Sequence, residues 1–359
     1  MQRLFLLLFV ACAALTPACN PTGEGTDDDG PLLPSFDRQS MLATWADEVI
    51  SPALTDYAAA TEALATAADR FVQDPTAAEL DQLRASYRTA YLSWQRFSPF
   101  QTTFAEQLTL RQRTNTYPTD PALIAFNADR PDRPLDLPSQ FTAQGFPALD
   151  YLLYADDAWL LNADDNDAAR RAYVLRLAET LRDLAATTTT NWNREVRDAY
   201  VMNDGNSATA SVDRTVNDYI FYFEKFLRAG KVGIPAGVFS DTPLADRAEA
   251  RYSGLSKELY FAGLDAVTDF FINKGLTDYL DALEVERDGE LLSALIREQF
   301  AAIRSAATGL DANFATQVET DNMAMLNAYD EMQRQVVLLK VDMLQALSIN
   351  VDYVDADGD

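Results

Sequence analysis

From about residue 40 onward, apolar side chains recur at intervals of three and four, the spacing that puts them on one face of an α-helix. Leu80, Leu83, Tyr87, Tyr91 and Trp94 form one stripe, and Val212, Val216, Ile220, Phe223 and Leu227 form a second. A third runs through Met325, Tyr329, Met332, Val336, Leu339, Met343 and Leu347. Further helical stretches are predicted at roughly 41–72, 168–200, 256–271 and 289–307. No segment keeps the period-two alternation of a half-buried strand, so the chain is predicted to be all-α, with the stripes as its core.

Two interruptions divide this pattern. Residues 111–144 carry Pro118, Pro121, Pro131, Pro134 and Pro138 and hold no steady period. They read as a long ordered loop or a series of short turns, and such loops in compact domains often serve function. The second break is NDGNSA at 203–208. The simplest partition places one helical bundle at 40–203 and another at 204–359.

The N-terminus reads as an address. One basic residue, Arg3, precedes an apolar run from Leu4 to Leu15, the shape of a signal peptide over residues 1–18. Ala18 before Cys19 is similar to a bacterial lipoprotein cleavage site, which makes Cys19 the expected lipidation point, with plain secretion as the alternative. Residues 19–39 are rich in Gly, Pro, Asp and Thr and read as a flexible tether. The expected location is the bacterial cell envelope, lipid-anchored on the periplasmic face or the cell surface of the outer membrane.

Composition then removes whole classes of chemistry. The chain has no His. That excludes Ser-His-Asp and Cys-His catalysis, zinc sites with imidazole ligands, and proximal-His haem ligation. Both cysteines, Cys12 and Cys19, lie in the leader region, so the body has no thiol. A metal would have to be held by oxygen ligands, which favour hard cations such as iron or calcium. A net charge of −26 without a basic stripe excludes a nucleic-acid partner.

Against this background the segment GFPALDYLLY at 145–154 stands out, because it sets one carboxylate, Asp150, in an apolar stretch. Together with LRASYRTAYLSWQRFSPF at 83–100, KVGIPAGV at 231–238 and LLKVDMLQALSINVDYVDADGD at 338–359, it resembles the imelysin family. The resemblance covers nearly the whole mature chain. It implies two helical bundles with a cleft between them, and a part in iron or haem acquisition at a Gram-negative envelope. Partners implied are an iron or haem ligand or an outer-membrane receptor, besides the membrane reached by the lipid anchor.

The family's G-x-H-x-x-E motif is altered here. Gly145 matches the Gly, Pro147 stands where the His is expected, and Asp150 stands where the Glu is expected. Pro offers neither donor nor acceptor, so a non-catalytic binding role is favoured over the metallopeptidase-like activity suggested by the family's naming. A receptor-docking scaffold is the third reading. Asp150 is open to two roles: cation ligand in a cleft, or support for a helix start, where it would complement the dipole or anchor Arg96 or Arg113.

Further candidates come from clusters. Arg96, Arg111 and Arg113, with Tyr117 and Lys231, could meet an anionic group at the junction of the bundles. Asp355, Asp357 and Asp359 resemble the start of a calcium loop that lacks its closing Glu, and otherwise read as a solvated acidic tail. Asp156, Asp157, Asp164, Asp165 and Asp167 suit a hydrated loop and caps for the helix starting near 168.

Overall fold

The computed structural model describes residues 36–353, except positions 157 and 163. Cys19, Asp355, Asp357 and Asp359 lie outside the described residues. The described chain is helical apart from loops and one two-stranded hairpin, in which Glu286–Arg287 pairs antiparallel with Glu290–Leu291. The chain is all-α, as its periodicity requires.

The main helices are α1 (Ser51–Gln73), α2 (Ala77–Phe97), α3 (Gly145–Tyr154), α4 (Asp165–Asn191), α5 (Ser211–Phe221), α6 (Ser256–Asn273), α7 (Leu292–Thr308) and α8 (Phe314–Val336). A π-helical segment, Tyr222–Gly233, continues α5 without a break. Local sequence explains where helices begin. The Thr76 hydroxyl accepts from Glu79 N–H at the start of α2, and the Asp164 carboxylate accepts from Asp167 N–H at 2.8 Å at the start of α4. Asp164 thus does the capping expected of the acidic cluster.

Before the break at 203–208, α1 packs along α2 and α4, and α3 lies against both α2 and α4. After it, α7, α8 and the π-helical segment pack together with α6. The two groups meet where α6 lies along α2. All three apolar stripes are buried, and the buried apolar side chains form one continuous cluster from Met41 to Ile349. Burying each large side chain contributes about 1.5–3 kcal/mol. Trp45 reaches across, donating its indole N–H to Lys274 O at 2.6 Å and packing on Phe270.

The proline-rich region 111–144 is ordered as short helical pieces, including Leu110–Thr114, Pro121–Ala128 and a 3-10 turn at Pro138–Ala143. It ends at Gly145, whose φ of +73° suits glycine, and a Cβ there would stand 2.2 Å from Thr114 O. The absent side chain lets the first turn of α3 press on the Leu110–Thr114 helix. Gly145→Ala is therefore expected to destabilise by about 3 kcal/mol or more, adding backbone strain to a clash. Urea unfolding of the two proteins measures it.

Candidate functional site

Asp150 lies midway along α3 and is 2% exposed. Its Oδ1 accepts from Tyr87 OH at 3.2 Å and from Ser253 N–H at 3.1 Å, and its Oδ2 accepts from Tyr252 N–H at 3.0 Å. Tyr87 comes from α2, whereas the two backbone donors come from the turn just before α6. One carboxylate therefore ties both helix groups together. Burial raises its pKa from the ordinary 3.8 to about 6, against the lowering effect of its hydrogen bonds.

Both expected forms of helix support are corrected here. Pro147 is the third residue of α3 and Asp150 the sixth, so no acid occupies the first turn. Neither Arg96 nor Arg113 is among the donors to Asp150. Gly145, Pro147 and Asp150 are all buried.

Three residues before Tyr252 sits Glu249, 1% exposed, at the centre of a second buried cluster. Its carboxylate pairs with the Lys231 ammonium, itself 3% exposed. Asn115 Nδ2 donates to Glu249 at 2.7 Å, and Gln95 Nε2 is 3.4 Å away. The Tyr91 hydroxyl stands 2.9 Å from Glu249 and 2.6 Å from Asn115 Oδ1 and shares its one proton between them. Tyr222 OH donates to Gln95 Oε1 at 3.2 Å. Burial lowers the pKa of Lys231, a shift that the attraction of Glu249 partly offsets. Burial and the charge of Glu249 push the Tyr91 and Tyr117 phenols well up, so both stay neutral.

This cluster leaves a void of about 10 Å³, lined by Lys231, Tyr117, Tyr222, Trp94 and others, which is room for one water molecule. Beyond it a cavity of about 640 Å³ opens between the 100–112 and 192–203 segments on one side, and 211–226 with Asp352 and Tyr353 on the other. Arg111 and Phe226 line both spaces and form the partition. Arg111 holds that place firmly: its guanidinium donates to Asp218 at 2.8 and 3.0 Å and to Ser98 O at 3.1 Å, and stacks 5.0 Å from the Phe226 ring centre.

Of the residues singled out in the sequence, Lys231 and Tyr117 thus come together beside Asn115. Arg113 is half-buried and its Nε has no hydrogen-bond partner among the described residues; burial lowers its pKa, while Asp136 acts in the opposite sense. Arg96 is exposed and faces a separate groove between α2 and α6 with Arg88 and Glu258. No group of three or more His, Cys, Asp or Glu side chains able to hold a metal ion occurs among the described residues. Glu249, Gln95 and Asn115 carry no signal in the sequence, where Tyr87 and Tyr91 read as plain core. A buried Lys in KVGIPAGV implies an acid nearby, but nothing in the sequence says which.

The Imelysin family profile, also described as Peptidase_M75, matches residues 50–339. The chain belongs to the imelysin family. Its fold is shared with an imelysin-like protein from Psychrobacter arcticum 273-4, at a TM-score of 0.71 and 19% identity over 88% of this chain and 97% of that one. It is shared also with a "putative iron-regulated protein A precursor" from Parabacteroides distasonis ATCC 8503, at a TM-score of 0.71 and 15% identity over 87% of this chain and 96% of that one. No curated protein sequence gives a significant match.

Two outcomes are expected of this imelysin site. Lys231→Met leaves Glu249 buried without its cation and should cost about 3–5 kcal/mol in urea unfolding, with part regained when Glu249→Gln is added. The second concerns Asp150, whose pKa is higher in the folded chain, at about 6, than its usual 3.8. The folded state then holds the proton more tightly, so this contribution is complete below pH 4 and is lost as pH rises through 6. Asp150→Asn sets an amide NH₂ against a backbone N–H, costing about 1–3 kcal/mol, and removes the titration. The stability of the wild type relative to Asp150→Asn should therefore fall between pH 4 and pH 7, by on the order of 3 kcal/mol, which cancels or reverses the difference. Thermal unfolding across that range measures it.

Proposed function

We propose that this imelysin-family protein is a non-catalytic ligand-binding component of iron or haem acquisition. In this reading it is held at the bacterial envelope by a lipid on Cys19. The observation that carries the non-catalytic part is the state of the motif carboxylate. Asp150 is 2% exposed and is occupied by Tyr87 OH and two backbone N–H groups. A general base or metal ligand must instead present a lone pair to substrate or ion. With no His in the chain, no neighbour supplies an imidazole in its place.

The ligand space in this reading is the 640 Å³ cavity beside Arg111; the groove that Arg96 faces is as large but more open, and the inner void holds about 10 Å³. Cavities of a few hundred Å³ suit small molecules. The iron connection is supported by the name of the Parabacteroides distasonis structural neighbour, an iron-regulated protein A precursor. A bound ion, iron or calcium, would use carboxylate and Tyr oxygens or arrive already chelated. Docking on an outer-membrane receptor would add a partner to the same role.

Calorimetric titration of the mature chain with Fe²⁺, Fe³⁺-citrate, Ca²⁺ and haem, beside a casein-cleavage assay with and without chelator, tests the proposal. Stoichiometric binding of an iron compound without cleavage is expected. Chelator-sensitive cleavage by the pure protein would overturn the non-catalytic reading, and failure of every iron compound to bind would remove the iron role. Asp150 does not line the cavity, so folded Asp150→Ala should keep its affinity within about threefold.

A further inference from the structure

The inner void of about 10 Å³ is lined by two buried residues whose donors the protein leaves unused. The first is Lys231, on the π-helical segment and 3% exposed. An ammonium carries three N–H groups. One goes to Glu249, and no second acceptor stands within hydrogen-bond distance among the described residues. The second is Trp94, on α2 and 1% exposed. Its indole N–H has no acceptor among the described residues. Trp45 and Trp192 are as deeply buried, yet their indoles do find acceptors, Lys274 O at 2.6 Å and Ser51 Oγ at 2.8 Å. A buried donor without an acceptor is costly, and more so on a charged group.

Two phenols also line the void, and burial keeps both neutral. Tyr222 spends its hydrogen on Gln95 Oε1, which leaves its oxygen able to accept. The Tyr117 oxygen can accept in the same way. Two unused donors and two phenol oxygens match the two bonds that water accepts and the two that it donates. The volume agrees, because about 10 Å³ is close to the least that admits a water molecule. A carboxylate or phosphate group is too large for it. A halide ion could use the donors but has no hydrogen to give the phenols, and an ammonium would meet the like charge of Lys231.

We propose that the inner void is a binding site for one water molecule, which accepts from Lys231 Nζ and Trp94 Nε1 and donates to the Tyr222 and Tyr117 oxygens. The water gives the buried ammonium a second partner beside Glu249, so Lys231 stays solvated without reaching the surface. It also closes the inner space: a group coming from the outer cavity towards Lys231 would have to displace the water as well as the Arg111 and Phe226 partition. The inference holds whatever the outer cavity binds.

A crystal structure of the mature chain grown in sodium bromide tests the occupant. One peak without anomalous bromide signal, within hydrogen-bond distance of both Lys231 Nζ and Trp94 Nε1, is expected. An empty void, or a bromide ion in it, would overturn the inference.

Oxygen-17 relaxation dispersion gives a second reading in solution, because it detects waters held longer than the protein takes to tumble. Trp94→Phe keeps an aromatic ring and removes one donor, and should shorten the residence time of one internal water at least about tenfold. Trp45→Phe removes an indole N–H that already has a protein acceptor, and should leave that residence time unchanged. No change in Trp94→Phe, or equal shortening in both variants, would show that Trp94 holds no water and would overturn the assignment.

Discussion

A carboxylate taken out of water must find its full complement of partners inside the protein, and Glu249 does so with side chains from both sides of the chain's midpoint. Lys231 supplies the charge from the later half. Tyr91 and Asn115 supply direct hydrogen bonds from the earlier half, with Gln95 at the limit of such a bond. Apolar contact alone lets helices slide past one another at small cost, whereas these partners fit in one register. The position of α2 against the segment leading into α6 is thereby fixed, and with it the walls of every space between the two groups of helices.

Asp150 extends the same constraint by one more step. By accepting from Tyr252 and Ser253 backbone N–H groups, it holds the turn that carries Glu249 into place. Asp150 acts as a brace, because its oxygens are taken by donors within the protein. The aromatic neighbours make this durable. Tyr91 stacks on Phe146 with ring centres 4.5 Å apart, and Tyr87 packs edge-on against the same ring. They keep water from the carboxylates and raise the cost of leaving either one unpaired.

A consequence is the separation of inner and outer space. The inner void is donor-rich and nearly filled, and the outer cavity is open and acidic. Between them Arg111 is secured by Asp218 on one side and by the faces of Phe221 and Phe226 on another. The buried polar cluster thus lies behind the wall of the outer cavity, with Arg111 and Phe226 shared between them.

The all-α class, the positions of the long helices and the burial of their stripes were legible in the sequence, because a period of 3.6 is a local property that any core-facing helix must show. The absence of His was equally decisive, since no fold can supply a missing imidazole. Gly145 and Lys231 were visible as residues of interest. Their reasons were not: one is a Thr114 carbonyl 2.2 Å from where a Cβ would stand, and the other is an acid 18 positions along the chain. Arg96, grouped by sequence proximity with Arg111 and Arg113, faces another groove because residues 96 and 111 lie on different helices. Glu249, Asn115 and Gln95 gave no signal, since each is an ordinary polar residue until a second segment closes over it. Sequence determined which faces had to be buried; tertiary structure alone decided which polar groups were buried with them, because pairing depends on distances between segments that periodicity does not encode.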